Sequence, residues 1–269
     1  MGDTTTVSPF FMPFLVGKGG SMTDVVPELK KAIDTSFQSN MMKDRQIASI
    51  SKRIRDGTAT LVDGHRYAER VGENLSKALT ANLTAETLPD GKLYYNIAKR
   101  TVIPSLESDY QLVNETAVKI QAIVDGKSKV GLKAVKAKFP DERIKDLVDK
   151  MTEDEIELEE ALRWLKEPIV NNSEAFFDDY IKANADFRAE AGMKTTITRL
   201  TEPKCCGWCE GLGGTFEYGK EPADIYRRHE FCRCDVVFES RKTQTRQNVW
   251  TKKTWSTEDE LETRKNYGR

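Results

Sequence analysis

All five cysteines of this 269-residue chain, Cys205, Cys206, Cys209, Cys232 and Cys234, fall in one stretch with His229, one of only two histidines. This clustering limits what residues 203–239 can fold into more than any other feature of the chain. Cys206-x2-Cys209 and His229-x2-Cys232 have the spacing of two metal-binding knuckles, each able to bring two soft ligands to one tetrahedral ion. Cys205 and Cys234 lie close enough to their neighbours to substitute for them. Gly207, Gly211, Gly213 and Gly214 give the tight backbone that such knuckles need. An odd thiol count packed so closely argues against a disulfide scaffold, which would spread its cysteines along the chain, and favours metal ligation in a reducing cytoplasm. The expected cofactor is a structural Zn2+ held by Cys206, Cys209, His229 and Cys232, with Cys234 and Cys205 as alternates. Two other readings stay open: a disulfide cluster, and a catalytic cysteine activated by His229, for which the sequence offers no third group.

Composition narrows the remaining classes. Basic and acidic residues number 42 and 43, for a net charge of −1, so any contact with nucleic acid must be local rather than driven by a global field. Charged residues make up 32% and no apolar run reaches membrane-spanning length, which predicts a soluble, helix-leaning protein. The apolar stretch SPFFMPFLVG carries two prolines and follows Asp3 without a basic region, so a secretory signal is not expected. No GxGxxG with a following acid, GxxxxGK[ST], HExxH or GxSxG occurs, and a non-enzymatic role is the expectation.

The periodicity predicts a mainly α protein with a small α+β C-terminal module. Residues 1–22 read as a flexible arm, either simply disordered or docking its Phe10–Leu15 patch on another subunit. A helical domain spans 23–192. Within it Val25, Leu29, Ile33 and Phe37 form one apolar stripe over 24–54, and a second helix over 58–82 completes a hairpin. Further helices are expected over 93–100, over 105–124 with Pro104 near its start, after Pro140, and over 173–191 before Gly192. Thr152-x-x-Glu155 matches a capping box ahead of Ile156, and Pro168 is expected to disturb that helix. The β-branched run Thr195–Leu200, then 216–218 and 235–238, predict short strands in a Cys/His module over 193–255, followed by a tail over 256–269.

The segments Cys206-Gly207-Trp208-Cys209, Gly213-Gly214-Thr215-Phe216 and His229-Glu230-Phe231-Cys232-Arg233-Cys234 together resemble the C-terminal signature of the Mu F-type minor head proteins of tailed bacteriophages. Where that family often has a proline ahead of the histidine, this chain has Tyr226-Arg227-Arg228. The resemblance implies a few-copy component of the virion, located in the capsid interior and in the cytoplasm of the infected bacterium. It would act in head morphogenesis alongside portal, capsid or scaffold proteins, with double-stranded DNA as a further partner and no membrane association. Two alternatives remain: a Cys/His-dependent enzyme or effector delivered with phage DNA, and a zinc-dependent DNA-binding module.

Four further features each have a bland explanation. Arg241, Lys242, Arg246, Lys252 and Lys253, with Trp250 interleaved, are candidates for contacting phosphates and stacking bases, or else form a solvated final strand. Lys127, Lys129, Lys133, Lys136 and Lys138 read as a solvated surface, with Lys129, Lys133 and Lys136 on one helix face. The acids from Glu153 to Glu160 read as a solvated helix start. His65 reads as an ordinary helix-surface or interface residue.

Overall fold

A computed structural model describes residues 24–153 and 156–241. The N-terminal arm, Glu155 of the expected capping box, and Lys242, Arg246, Trp250, Lys252 and Lys253 lie outside the described residues. The chain is mainly α with a small antiparallel sheet near its C-terminal end. The helices are α1 (Val26–Lys43), α2 (Arg45–Arg55), α3 (Leu61–Asn82), α4 (Tyr95–Ser128), α5 (Asp141–Met151), α6 (Leu158–Trp164), α7 (Glu167–Glu190) and α8 (Gly207–Leu212). The strands are β1 (Lys194–Leu200), β2 (Gly214–Glu217) and β3 (Asp235–Arg241), in the order β2–β1–β3. No helix among the described residues is long and apolar enough to cross a membrane.

The α3–α7 pair forms the centre. At Gly64 any Cβ would overlap the Phe177 ring, and at Gly72 it would lie 2.5 Å from Ser173 Oγ. Glycine at both points lets the two backbones close on each other. α1 lays Leu29, Ile33 and Phe37 against α3 and α4, as its stripe predicts. The first helix is broken at Asp44, however, whose carboxylate caps α2 by accepting from the Gln46 and Ile47 amides at 2.9 and 3.1 Å. α3 begins with a reciprocal capping box between Thr60 and Asp63.

Three further boundaries correct the sequence expectation. Pro104 lies inside a continuous α4 rather than between two helices. Buried Ala98 and Val102 on one side and Leu106 on the other belong to the same core, and this burial outweighs the hydrogen bond that proline removes. α6 starts only at Leu158 with Glu157 as its N-cap, well beyond Thr152, whose hydroxyl bonds back to the Val148 carbonyl at 2.8 Å. Pro168 opens α7 instead of disturbing α6, because a first-turn proline sacrifices no helical bond.

The lysine run is a further correction. Residues 130–140 are not helical. The Asn184 side chain on α7 takes both backbone groups of Val135, at 2.9 and 2.8 Å, as a neighbouring strand would. Lys129, Lys133 and Lys136 are exposed, as expected, but share no helix face.

The sheet lies on α7 and α3. Ile197 of β1 pairs with Phe216 of β2 and Phe238 of β3. Ile197, Val236 and Phe238 point inward and join the same buried cluster as Phe176 and Phe177. At the far end Arg188 of α7 makes a buried two-pronged ion pair with Asp125 of α4, at 2.7 and 2.6 Å, while its guanidinium stacks 5.1 Å over the Phe238 ring.

Candidate metal centre

The alternation along β1 buries Thr195, Ile197 and Arg199. Beyond β1 the chain reverses through Lys204, at φ 67°, and enters α8 with Cys206 as its N-cap. One helical turn brings Cys209 back beneath Cys206, where its amide approaches the Cys206 sulfur at 3.5 Å. The second knuckle closes in a turn from the Cys232 amide to the His229 carbonyl at 3.1 Å, with Phe231 held at φ 59°. Two non-glycine residues in the left-handed region thus stand next to the two ligand pairs, and both line the cavity of about 510 Å³ onto which the thiols open.

His229 Nε2 lies 3.3 Å from Cys206 Sγ and 3.0 Å from Cys209 Sγ. Its Nδ1 is 2.6 Å from the Glu230 carbonyl, an acceptor that assigns the proton to Nδ1 and leaves the Nε2 lone pair facing the two sulfurs. Cys209 Sγ is 3.7 Å from Cys232 Sγ. A tetrahedral ion with zinc–sulfur bonds of about 2.3 Å separates its sulfurs by about 3.8 Å. The donors fall into two triads, Cys206–Cys209–His229 and Cys209–Cys232–Cys234, each within 4.8 Å of mutual contact and each able to hold a metal ion. Cys205 is partly buried and packs beside the second triad. All five cysteines are free thiols, and a 3.7 Å separation is far from a bonded one.

The thiols differ in acidity. Cys206 is exposed, and the Cys209 backbone amide holds its thiol below the usual range. Burial pushes Cys209 up to about 12, reinforced by Cys234 and Cys232, and burial also raises Cys234. Cys209 and Cys234, neighbouring buried thiols that both resist ionising, suit a site whose charge is supplied by a cation.

Arg199 contributes such charge from the protein. Its buried guanidinium points at Cys232 Sγ at 3.4 Å and at Cys209 Sγ at 3.8 Å. The other end is fastened to the carbonyls of Ile225 and Arg227, and Trp208 covers its face at 5.6 Å.

Two further arginines fasten the ligand loop to the helical body. Arg228 binds Asp178 through both Nε and Nη2, Glu174 at 3.1 Å, and the Cys232 carbonyl at 3.3 Å. Arg233 grips Glu167 at 2.7 and 3.1 Å, meets Glu174 at 3.3 Å and Glu69 at 3.1 Å, and also reaches the Cys232 carbonyl at 3.2 Å. Asn171 adds a bond to the His229 carbonyl at 3.4 Å. Burial pushes the Glu174 carboxyl up against the pull of Arg228 and Arg233. Glu167, Asn171, Glu174 and Asp178 recur at helical spacing, so α7 presents one polar stripe to the module.

His65 is corrected from a surface to an interior position, and its interface role holds. It is 1% exposed, stacks edge-on against Phe177 at 4.5 Å, and joins α3 to β3 through the Val236 carbonyl at 2.6 Å. Arg228 donates to its Nδ1 at 3.2 Å, which places the proton on Nε2. Burial lowers its pKa, so the ring stays neutral.

The structure therefore brings Cys206, Cys209, His229, Cys232 and Cys234 together. Arg241 stays apart from them, exposed at the opposite end of β3 and paired with Glu239 at 3.5 Å. Sequence reasoning missed Arg199, Arg228 and Arg233. The inward parity of Arg199 in β1 and the acidic stripe of α7 were the signals that could have found them. No family model, curated protein or solved structure matches this chain.

Proposed function

We propose that the chain is a minor head component of a tailed bacteriophage, in which a metal-stabilised C-terminal module completes a helical body that engages portal, capsid or scaffold partners. The family assignment rests on the signature residues themselves. The metal reading is carried by one observation: His229 Nε2, with its proton directed away to Glu230, converges with Cys206 and Cys209 within 3.3 Å. Zinc suits this donor set, since thiolate sulfur and imidazole nitrogen are its preferred ligands and the loops supply more donors than a tetrahedral shell needs. The ion would supply structural cross-linking between the two knuckles, and the two arginine clamps would pass that order on to α3 and α7. Mass spectrometry of purified particles from the phage or prophage encoding the chain is the test of the head role, and particles without it would refute that role. Metal analysis of the purified protein tests the centre: bound zinc is expected, and its removal should loosen residues 201–235 ahead of the helices in hydrogen exchange.

A second reading is favoured by the exposed Cys206 thiol, which pairs with His229 at 3.3 Å and is held below its usual acidity range. This arrangement resembles a cysteine nucleophile with its base, oriented by the Glu230 carbonyl. Alkylation separates the two readings. A metal ligand is protected by the ion and becomes reactive after chelation, whereas a nucleophile reacts rapidly in the metal-loaded protein.

A further inference from the structure

We infer that the thiol cluster holds two divalent ions bridged by the Cys209 thiolate, an inference that rests on the metal reading above. The donors do not converge on one point. They form an outer triad, Cys206, Cys209 and His229, and an inner one, Cys209, Cys232 and Cys234, and only Cys209 belongs to both. The environments differ as two separate coordination sites would. All of these thiols line the one cavity, but Cys206 is exposed there whereas Cys232 and Cys234 are each only 2% exposed.

A single ion at the outer triad would leave two buried sulfurs beside it without a charge to neutralise, although Arg199 donates toward this inner group. A single ion at the inner triad would leave His229 with its lone pair presented and nothing to accept it. Two ions sharing one sulfur use every donor. Each would sit about 2.3 Å from Cys209 Sγ, so a tetrahedral angle at sulfur sets them about 3.8 Å apart. Cys205 packs against the inner three but stands outside their 4.8 Å group, so it would have to close on them to supply the fourth ligand there. The outer ion takes its fourth ligand from solvent in the cavity. Five thiolates against two divalent ions leave one negative charge, which the buried Arg199 guanidinium meets. Desolvated ionic sites need this kind of balance.

The test uses the full-length protein saturated with zinc and freed of loosely bound metal by gel filtration. Elemental analysis should give two ions per chain, falling to one in Cys234→Ser and to one in Cys206→Ser. Circular dichroism checks that the variants keep their helices. Cadmium NMR of the wild-type protein needs no variant: two resonances with scalar coupling through the shared sulfur are expected. One ion per chain at saturation, or two cadmium resonances without coupling, would overturn the bridged pair while leaving the metal reading intact. No bound ion in the wild-type protein would instead sink the metal reading itself.

Discussion

Arg227 and Arg228 are adjacent in sequence and should behave oppositely when replaced by methionine. The Arg228 side chain is 4% exposed and serves Glu174 and Asp178, themselves 3% and 2% exposed. Methionine keeps much of the apolar stem but strands the Asp178 carboxylate without its arginine and leaves Glu174 only Arg233. Removing one partner of a buried ion pair costs about 3–5 kcal/mol, because the remaining charge is stranded in a medium that solvates it poorly. The Cys232 carbonyl keeps a donor in Arg233, so the loss should lie near the lower end of that range. The Arg227 side chain is 73% exposed and, among the described residues, pairs with Asp224 three residues away, an arrangement worth a few tenths of a kcal/mol.

Urea unfolding followed by circular dichroism measures both variants, with tryptophan fluorescence as a second probe. The Arg228→Met midpoint should fall sharply at pH 7 with an unchanged slope, and Arg227→Met should overlay the wild type. The deficit should also depend on pH with a definite sign. A stranded carboxylate has a raised folded-state pKa, so its penalty accumulates as pH rises above the ordinary carboxylate range. Below about pH 4 both states carry the proton and Arg228→Met should approach the wild type. Adding Asp178→Asn should recover part of the loss at neutral pH. An Arg228→Met variant within about 1 kcal/mol of the wild type at pH 7, below the stranded-charge cost, would refute the clamp argument.

Other positions give independent tests. Burial opposes ionisation of Asp44, yet Arg70, Asn74 and the Ile47 amide bring its carboxyl down to about 2, so about 2 kcal/mol of stability is present above pH 4 and lost as pH falls toward 2; Asp44→Ala should remove that acid limb from the melting profile. Burial raises Asp109 to about 8 against the Ser173 hydroxyl, so the wild type should lose stability as pH rises from about 4 to 8, by at most about 1.4 kcal/mol per pH unit. Asp109→Asn should flatten that slope, with urea midpoints matching the wild type at pH 4 and exceeding it at pH 9. Gly64→Ala should cost about 1–3 kcal/mol in thermal or urea unfolding by forcing the Phe177 ring from its place, and an unshifted midpoint would show that α3 and α7 can separate without penalty.

The legible parts of the chain were those governed by local chemistry. β-branched alternation placed β1 to within a residue, and Gly192, at φ 79°, terminates α7 as a left-handed glycine should. The knuckle spacings assembled the ligand set because each pair is closed by a single local turn. What escaped depended on partners distant in sequence. Pro104 reads as a helix start until the burial of α4 on both sides is known. The 130–140 lysines read as a helix face until Asn184 claims the Val135 backbone. A lone His65 carries no motif, and its role comes from β3, 171 residues away.

The same distinction explains how the module relates to the helices. Three arginines hold the ligand pairs: Arg199 bridges Cys209 and Cys232 from behind, and Arg228 and Arg233 both hold the Cys232 carbonyl. These arginines end on β1 and the carbonyls of Ile225 and Arg227, or on the acids of α3 and α7. The Cys232 carbonyl receives both clamps, so moving its sulfur to meet an ion pulls on Asp178, Glu174 and Glu167 together. Ion binding and body stability would therefore be linked in both directions. Whatever free energy the ion contributes to ordering the knuckles adds to the stability of the α3–α7 pair, and a weakened clamp must lower metal affinity by the same coupling. Arg228→Met should therefore bind zinc more weakly although Arg228 is not a ligand, and a zinc affinity equal to the wild type in competition with a chelator would uncouple the centre from the body.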